Sequence, residues 1–228
     1  MYSNRKLVIL DADGTTIDAF QAIAETFNRH DMKLGDLSRF QKRHNLFKYL
    51  GGVKEFPKNL RKQLTRVERS KLIETLTVVY REKAVLYPGM QKMMQQLIAS
   101  EEIIVGVVTR NITTSPIKTL GRLFERENID VKKLDFLEHI PLREKKTDAF
   151  RRLRVEYKVN PALCYVCGDE YKDYLSAVST GMHPFIVSYG FESLERLTEK
   201  YEIPREIISE TPESMVNRLF HSLSMTEA

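Results

Sequence analysis

Short apolar runs alternate along this chain with longer segments in which apolar residues recur every three or four positions. Runs without any charge predict strands buried on both faces, as in the interior of a parallel sheet; they span 7–10, 103–108, 163–167 and 185–187. A short strand is also predicted at 136–140. Strands and helices that alternate at this length predict right-handed βαβ units, and so an α/β fold with a doubly wound parallel sheet.

The segments between these runs predict amphipathic helices. Asp18 is expected to cap a helix over 18–29, and Pro57 suits the first turn of a helix, single and bent or divided in two, over 57–83. Three methionines on one face of the helix that begins near residue 90 are interpreted as core. Further helices are predicted at 116–127, at 147–157 with Thr147 as the cap, up to 180 with Gly181 as the cap, around 194 and at 215–223.

The helical segment 18–86 separates the first predicted strand from all the others. We therefore predict a core made of residues 1–17 and 87–228, with 18–86 inserted as a second unit. This insertion holds 15 Lys and Arg against 8 Asp and Glu, whereas the whole chain has a net charge of +5. Arg39, Lys42, Arg43 and His44 are candidates for binding an anionic group, and nucleic acid is an unlikely partner because no base-stacking motif accompanies the charge.

Composition indicates a soluble globular protein, with 42% hydrophobic and 29% charged residues. Apolar runs stay well short of the length that a membrane helix needs, and residues 1–6 do not resemble a secretory signal. Strand alternation points Cys164 and Cys167 to opposite faces, which favours buried free thiols over a metal or redox pair. We expect a cytoplasmic protein without a membrane segment. The sequence does not indicate an oligomeric state.

Candidate chemistry begins directly after the first strand, where Asp11 and Asp13 are followed by Gly14 and Thr15. Two carboxylates this close repel each other unless a cation or a proton intervenes. Gly14 can adopt positive φ for a tight turn, and Thr15 adds a hydroxyl and an amide. An ordinary polar turn would use the same residue types.

Two later strands and one helix start also carry polar residues, namely Thr109, Arg110, Asn111, Lys146, Asp169 and Asp173. The carboxyl ends of parallel strands meet at one edge of a sheet, where ligands bind. Asp11, Asp13 and Asp169 would supply hard oxygen ligands for Mg²⁺, while a lysine would hold a phosphoryl group. The sequence therefore predicts a site for a metal and a phosphate.

These motifs resemble, in order, the four motifs of the haloacid dehalogenase superfamily, and within it the branch of phosphoglycolate phosphatase. They are D-x-D-G-T at 11–15, a Ser or Thr after the second strand at Thr109, a lysine at Lys146 and G-D-x-x-x-D at 168–173. The third motif departs from the branch's usual K-P-x-P, so Lys146 is chosen because it directly precedes the helix, with Lys145 as the alternative. The resemblance implies a Rossmann-like core with 18–86 as a helical cap.

The resemblance also implies roles for these residues. Asp11 would be the nucleophile that forms an aspartyl phosphate, and Asp13 would protonate the leaving alcohol and then activate water. Mg²⁺ would be held by the Asp11 carboxylate, the Asp13 carbonyl and Asp169, with Asp173 in support. Lys146 and Thr109 would complete the catalytic set, and Gly14, Thr15, Arg110, Asn111 and Arg43 would contact the substrate or its phosphate.

The main prediction is thus a Mg²⁺-dependent phosphatase of a small phosphorylated metabolite. A phosphomutase would use the same aspartyl phosphate but return the group to a sugar. A non-catalytic, receiver-like phosphate-binding module also combines Asp, Thr and Lys. Receiver domains are much shorter, however, and lack the 98-residue separation between Asp11 and Thr109.

Overall fold

The computed structural model describes residues 2–32, 38, 41 and 69–225 of the chain. Strand bounds are β1 (Lys6–Leu10), β2 (Ile103–Thr109), β3 (Phe136–His139), β4 (Cys164–Gly168), β5 (His183–Val187) and β6 (Ile208–Ser209). They form one parallel sheet in the order β3-β2-β1-β4-β5-β6, which confirms the predicted fold class. The sequence did not predict β6, because two residues show no periodicity.

The described helices include α1 (Ala19–Asn28), α2 (Arg69–Glu82), α3 (Met90–Ala99), α4 (Pro116–Arg126), α5 (Lys146–Glu156), α6 (Tyr171–Ser179) and α7 (Pro212–Leu223). Asp18 caps α1 as predicted, since its carboxylate accepts from the Gln21 amide at 3.1 Å. The prediction that Thr147 caps α5 is wrong. The helix begins one residue earlier, and the Thr147 hydroxyl donates to Ser176 Oγ on α6 instead.

Two helical layers cover the sheet, one on each face, and β1 contributes to both. Leu7 and Ile9 pack with apolar residues of α5 and α6, whereas Val8 and Leu10 pack with those of α1, α2, α3, α4 and α7. The methionine face of α3 lies in this second layer, as predicted. Cys164 and Cys167 are buried free thiols on opposite faces, also as predicted.

The chain leaves the sheet for α1 and returns from α2 at a single point. Ile17 pairs with Leu86 in an antiparallel bridge. The amide of Asp18 donates to the Val85 carbonyl at 2.9 Å, and that of Tyr87 to the Thr16 carbonyl at 3.0 Å. The two ends of segment 18–86 are therefore held together beside the carboxyl end of β1.

The central part of that segment lies outside the described residues. This includes the predicted helix up to residue 68 and the four basic candidates Arg39, Lys42, Arg43 and His44. Every helix in the described part of the chain is too short or too polar to cross a lipid bilayer.

Candidate active site

The carboxyl ends of three strands bring most of the predicted site residues together. Asp11 and Asp13 follow β1, Asn111 follows β2, Asp169 follows β4, Lys146 begins α5 and Asp173 lies in the first turn of α6. All six side chains are buried. A buried charge is costly unless it is paired and hydrogen-bonded, so the partners of each group determine what the site can do.

Lys146 forms two short ion pairs. Its Nζ lies 2.8 Å from Asp11 Oδ2 and 2.7 Å from Asp173 Oδ1. Burial disfavours the charged ammonium, but the two carboxylates outweigh burial and raise the pKa of Lys146 above its ordinary value. The structure thus brings Lys146 to Asp11, while the side chain of Lys145 is exposed.

Asp11 is held by the sheet and by Lys146. Its amide donates to the Cys167 carbonyl of β4 at 2.9 Å, and its Oδ1 accepts from the Ala12 amide at 2.9 Å. Burial raises the pKa of Asp11 to about 7 although Lys146 opposes the shift. Its Oδ2 carries the Lys146 ammonium, which favours the carboxylate form that a nucleophile requires.

Asp13 is held by two side chains. Tyr80 of α2 donates to Asp13 Oδ1 at 2.7 Å, and the Asn111 amide nitrogen lies 3.1 Å from Oδ1 and 3.0 Å from Oδ2. Burial raises the pKa of Asp13 to about 6, and these hydrogen bonds limit the shift. A carboxyl group with a pKa near neutrality can both donate and accept a proton, as acid/base catalysis requires.

Asp169 is packed between two glycines. Its Oδ2 accepts from the Phe191 amide at 2.6 Å. A Cβ at Gly14, which has a φ of 81°, or at Gly190 would collide with Asp169 Oδ2, so both positions need a residue without a side chain. Burial, together with Asp11 and other acidic neighbours, raises the pKa of Asp169 well above its ordinary value.

Thr15 and Asp173 support this arrangement. Thr15 Oγ1 lies 3.5 Å from Asp169 Oδ1. The second carboxylate oxygen of Asp173 accepts from the Glu170 amide at 3.1 Å, which completes a capping box at the start of α6. Asp173 therefore bridges Lys146 to the helix that follows Asp169.

The three predicted site residues at the end of β2 point to different partners. Thr109 is buried, and its hydroxyl oxygen accepts from the Asn111 amide at 3.0 Å. The Arg110 guanidinium donates to the Glu144 carbonyl at 3.2 Å, which directs it toward the loop before α5. The side-chain amide of Asn111 donates to Asp13. Contact of Arg110 or Asn111 with a phosphate therefore stays a prediction.

The acidic residues fit a divalent cation. Asp11, Asp169 and Asp173 each offer a carboxylate oxygen within 4.8 Å of the others. Asp13 adds a fourth carboxylate, while Lys146 supplies one positive charge among these buried groups. Hard oxygen donors with a surplus of negative charge suit Mg²⁺, which binds through one or two carboxylates and a phosphate oxygen.

Sequence reasoning missed two contributors to the site. Tyr80 belongs to the inserted segment and is 67 residues from its partner Asp13. The loop after β5 brings Gly190 and the backbone amide of Phe191 to Asp169, although Asp169 and Phe191 are 22 residues apart in the sequence. The glycine between two aromatic residues was the one local signal for this loop.

Comparison with known proteins places this arrangement in a family. A search of solved structures found a candidate phosphatase from Clostridium difficile, with a TM-score of 0.62 and 21% identity over 95% of this chain and 99% of that one. A candidate β-phosphoglucomutase from Thermotoga maritima has a TM-score of 0.62 and 19% identity over the same shares. A candidate phosphoglycolate phosphatase from Lactobacillus delbrueckii has a TM-score of 0.60 and 20% identity, again over 95% and 99%.

These structures share the fold. A search of curated proteins found no match. The model of the haloacid dehalogenase-like hydrolase family matches residues 8–187, which include every predicted motif from Asp11 to Asp173. The chain therefore belongs to the haloacid dehalogenase-like hydrolases, as its motifs predicted.

Proposed function

We propose that the protein is a Mg²⁺-dependent phosphatase that hydrolyses a small phosphomonoester through an aspartyl phosphate on Asp11. The observation that carries the proposal is the pairing of two differently held carboxylates. Asp11 is bound to an ammonium, which favours its charged form, while Asp13 accepts hydrogen bonds from the neutral groups of Tyr80 and Asn111. One suits a nucleophile and the other a proton donor and acceptor.

In the first step, a carboxylate oxygen of Asp11 forms a bond to phosphorus as the bond from phosphorus to the ester oxygen breaks. Asp13, in its protonated form, gives its proton to the departing oxygen, which leaves as the alcohol. In the second step, Asp13 takes a proton from water while the water oxygen bonds to phosphorus. The bond to Asp11 then breaks, inorganic phosphate leaves, and both residues return to their starting forms.

Lys146 and the other acidic residues support these steps electrostatically. The Lys146 ammonium would neutralise part of the charge of an incoming phosphoryl group, and Asp173 fixes its position. Asp11, Asp169 and the Asp13 carbonyl would hold Mg²⁺, with Asp173 in support. Bound Mg²⁺ would act as a Lewis acid toward the phosphoryl oxygens. Thr109, Gly14 and Thr15 would place hydroxyl and amide groups around the same phosphate.

We also propose that segment 18–86 is a helical cap that selects the substrate and excludes water. Its paired ends at Ile17 and Leu86, beside Asp13, support this placement, as does the contact of Tyr80 with Asp13. Arg43 stays a candidate for binding a second anionic group of the substrate. The two buried free thiols favour a reducing compartment such as the cytoplasm.

Turnover of aryl phosphates by the purified protein tests the proposal. We expect release of inorganic phosphate that requires Mg²⁺ and is abolished in Asp11→Asn. Asp13→Asn should accumulate a phosphorylated protein, visible by mass spectrometry as an added phosphoryl mass on the peptide that contains Asp11. Absence of phosphate release across a broad panel of phosphomonoesters would exclude the phosphatase and leave the phosphomutase or the non-catalytic binding module.

A phosphomutase is the second candidate, because the Thermotoga maritima structure, a candidate β-phosphoglucomutase, shares the fold with a TM-score of 0.62. The two functions differ in their product. A mutase converts a sugar phosphate into its isomer, whereas a phosphatase releases inorganic phosphate and the free sugar. Product analysis by NMR with a sugar phosphate panel distinguishes them.

A further inference from the structure

Tyr80 reaches the acid/base carboxylate from a helix of the inserted segment. Its hydroxyl lies 2.7 Å from Asp13 Oδ1, and its side chain is among the largest that are fully buried. A buried phenol needs a hydrogen-bond partner, so packing alone could explain a bonded tyrosine. Two observations point to a further role: the partner of Tyr80 is Asp13, and other hydrogen bonds fix the position of this contact.

Asn111 binds the same carboxylate from the loop after β2. Its Nδ2 lies within 3.1 Å of both oxygens of Asp13. The amide of Thr113 donates to Asn111 Oδ1 at 2.9 Å, and the Thr113 hydroxyl also donates to that oxygen. Two donors on Oδ1 fix the orientation of the amide, so that its nitrogen faces Asp13.

The helix that carries Tyr80 is joined to the loop that carries Asn111. The Thr114 amide donates to Thr77 Oγ1 at 2.8 Å, and Thr77 lies three residues before Tyr80 on the same face of α2. Arg81 adds a hydrogen bond from its guanidinium to the Thr114 carbonyl at 3.3 Å. The two groups that bind Asp13 are therefore fixed to each other as well.

We propose that Tyr80 and Asn111 form a clamp that positions Asp13 for proton transfer to the leaving group. The inference rests on the proposed phosphatase function. Among the described residues, both clamp residues donate to Oδ1 of Asp13, whereas only Asn111 donates to Oδ2. This geometry leaves Oδ2 as the less engaged oxygen, from which a proton would pass to the leaving oxygen, while Tyr80 would keep its own proton.

Leaving-group dependence tests the clamp. Dinitrophenyl phosphate has a stable leaving group that needs little protonation, whereas phenyl phosphate needs a well-placed acid. For Tyr80→Phe, which removes only the hydroxyl, we expect kcat/KM to fall about tenfold with phenyl phosphate and at most about threefold with dinitrophenyl phosphate. Asn111→Ala should likewise lower kcat/KM more for phenyl phosphate than for dinitrophenyl phosphate, and so change the ratio of the two kcat/KM values in the same direction.

Tyr157→Phe is the matched control, because it removes a tyrosine hydroxyl that donates to the Asp135 carbonyl at 2.8 Å, at the end of α5 opposite to Lys146. It should leave the ratio unchanged. Thermal unfolding verifies the fold of each variant, and Asn111→Ala decides the question if Tyr80→Phe does not fold.

An equal loss with both esters would assign Tyr80 and Asn111 to packing or to phosphate binding and would overturn the clamp. A wild-type protein that hydrolyses neither ester, nor any member of the broad phosphomonoester panel, would instead refute the phosphatase function. A wild-type protein that hydrolyses both, with variants that keep its ratio, would refute the clamp alone.

Discussion

Replacing Lys146 by methionine tests the electrostatic design of the site most directly. Methionine matches the length of the lysine stem but removes the ammonium that lies 2.8 Å from Asp11 and 2.7 Å from Asp173. Removing one partner from a buried ion pair costs about 3–5 kcal/mol, because the remaining charge is left without compensation. Asp11 can reduce this cost by taking up a proton, so we expect a loss of about 3 kcal/mol near pH 7.

The pH dependence of that loss follows from the same proton. Burial already raises the pKa of Asp11 to about 7, and loss of Lys146 raises it further. The folded variant then holds a proton that the unfolded chain releases, so its stability falls as the pH rises, by about 1.4 kcal/mol per pH unit for one proton. Guanidinium unfolding in EDTA at pH 6.5, 7.5 and 8.5 should show Lys146→Met losing more stability at each step than the wild type.

A turnover measurement and a control variant at the neighbouring Lys145 complete this experiment. The variant should lose about 100- to 1,000-fold in kcat, as expected when a preorganised charge is removed from a phosphoryl site. Lys145→Met, at the exposed adjacent position, should change stability by less than about 0.5 kcal/mol and retain activity. The assignment of Lys146 as the site lysine is refuted if both variants lose stability and activity equally. It is also refuted if neither variant loses stability or activity.

The remaining predictions concern backbone space, metal binding and proton uptake. Gly190→Ala places a Cβ against Asp169 Oδ2 and should abolish turnover. Gly121→Ala is the control, because Gly121 lies in helix α4 with open space around the position of a Cβ. It should retain turnover and raise the free energy of unfolding in guanidinium by about 0.5–1 kcal/mol. Mg²⁺ should raise the unfolding temperature of the wild type but not of Asp169→Asn, as scanning calorimetry can show. Because burial raises the pKa of Asp13 to about 6, the folded state binds its proton more tightly than the unfolded chain. This contribution is complete below about pH 4 and is lost as the pH rises through 6, so chemical unfolding in EDTA should give a flatter pH profile for Asp13→Asn than for the wild type.

The sheet and the cluster of candidate site residues at its edge were predictable because their signals are local. An uncharged run such as 103–108 can be buried on both faces, and the structure confirms it as part of β2. The motif residues Asp11, Lys146 and Asp169 follow strands or begin a helix, so topology alone brings them to one edge of the sheet.

Other features depend on contacts between distant parts of the chain. Tyr80 lies on α2, 67 residues from Asp13, and nothing near it in the sequence indicates Asp13 as its partner. The need for glycine at position 190 arises from the closeness of Asp169, which the sequence cannot show. Thr147 has the residue type of a cap, but its hydroxyl bonds to α6 because the two helices pack together.

The position of β1 also has a consequence for synthesis of the protein. β1 is synthesised before the other strands of this sheet, yet it pairs with β2, about 97 residues later, and with β4, about 157 residues later. During translation, β1 therefore lacks its neighbour β4 until about 157 further residues have been synthesised. Non-local pairing of this kind slows folding and exposes an edge that can aggregate. Chains that terminate before β4 should therefore depend on chaperones to stay in solution.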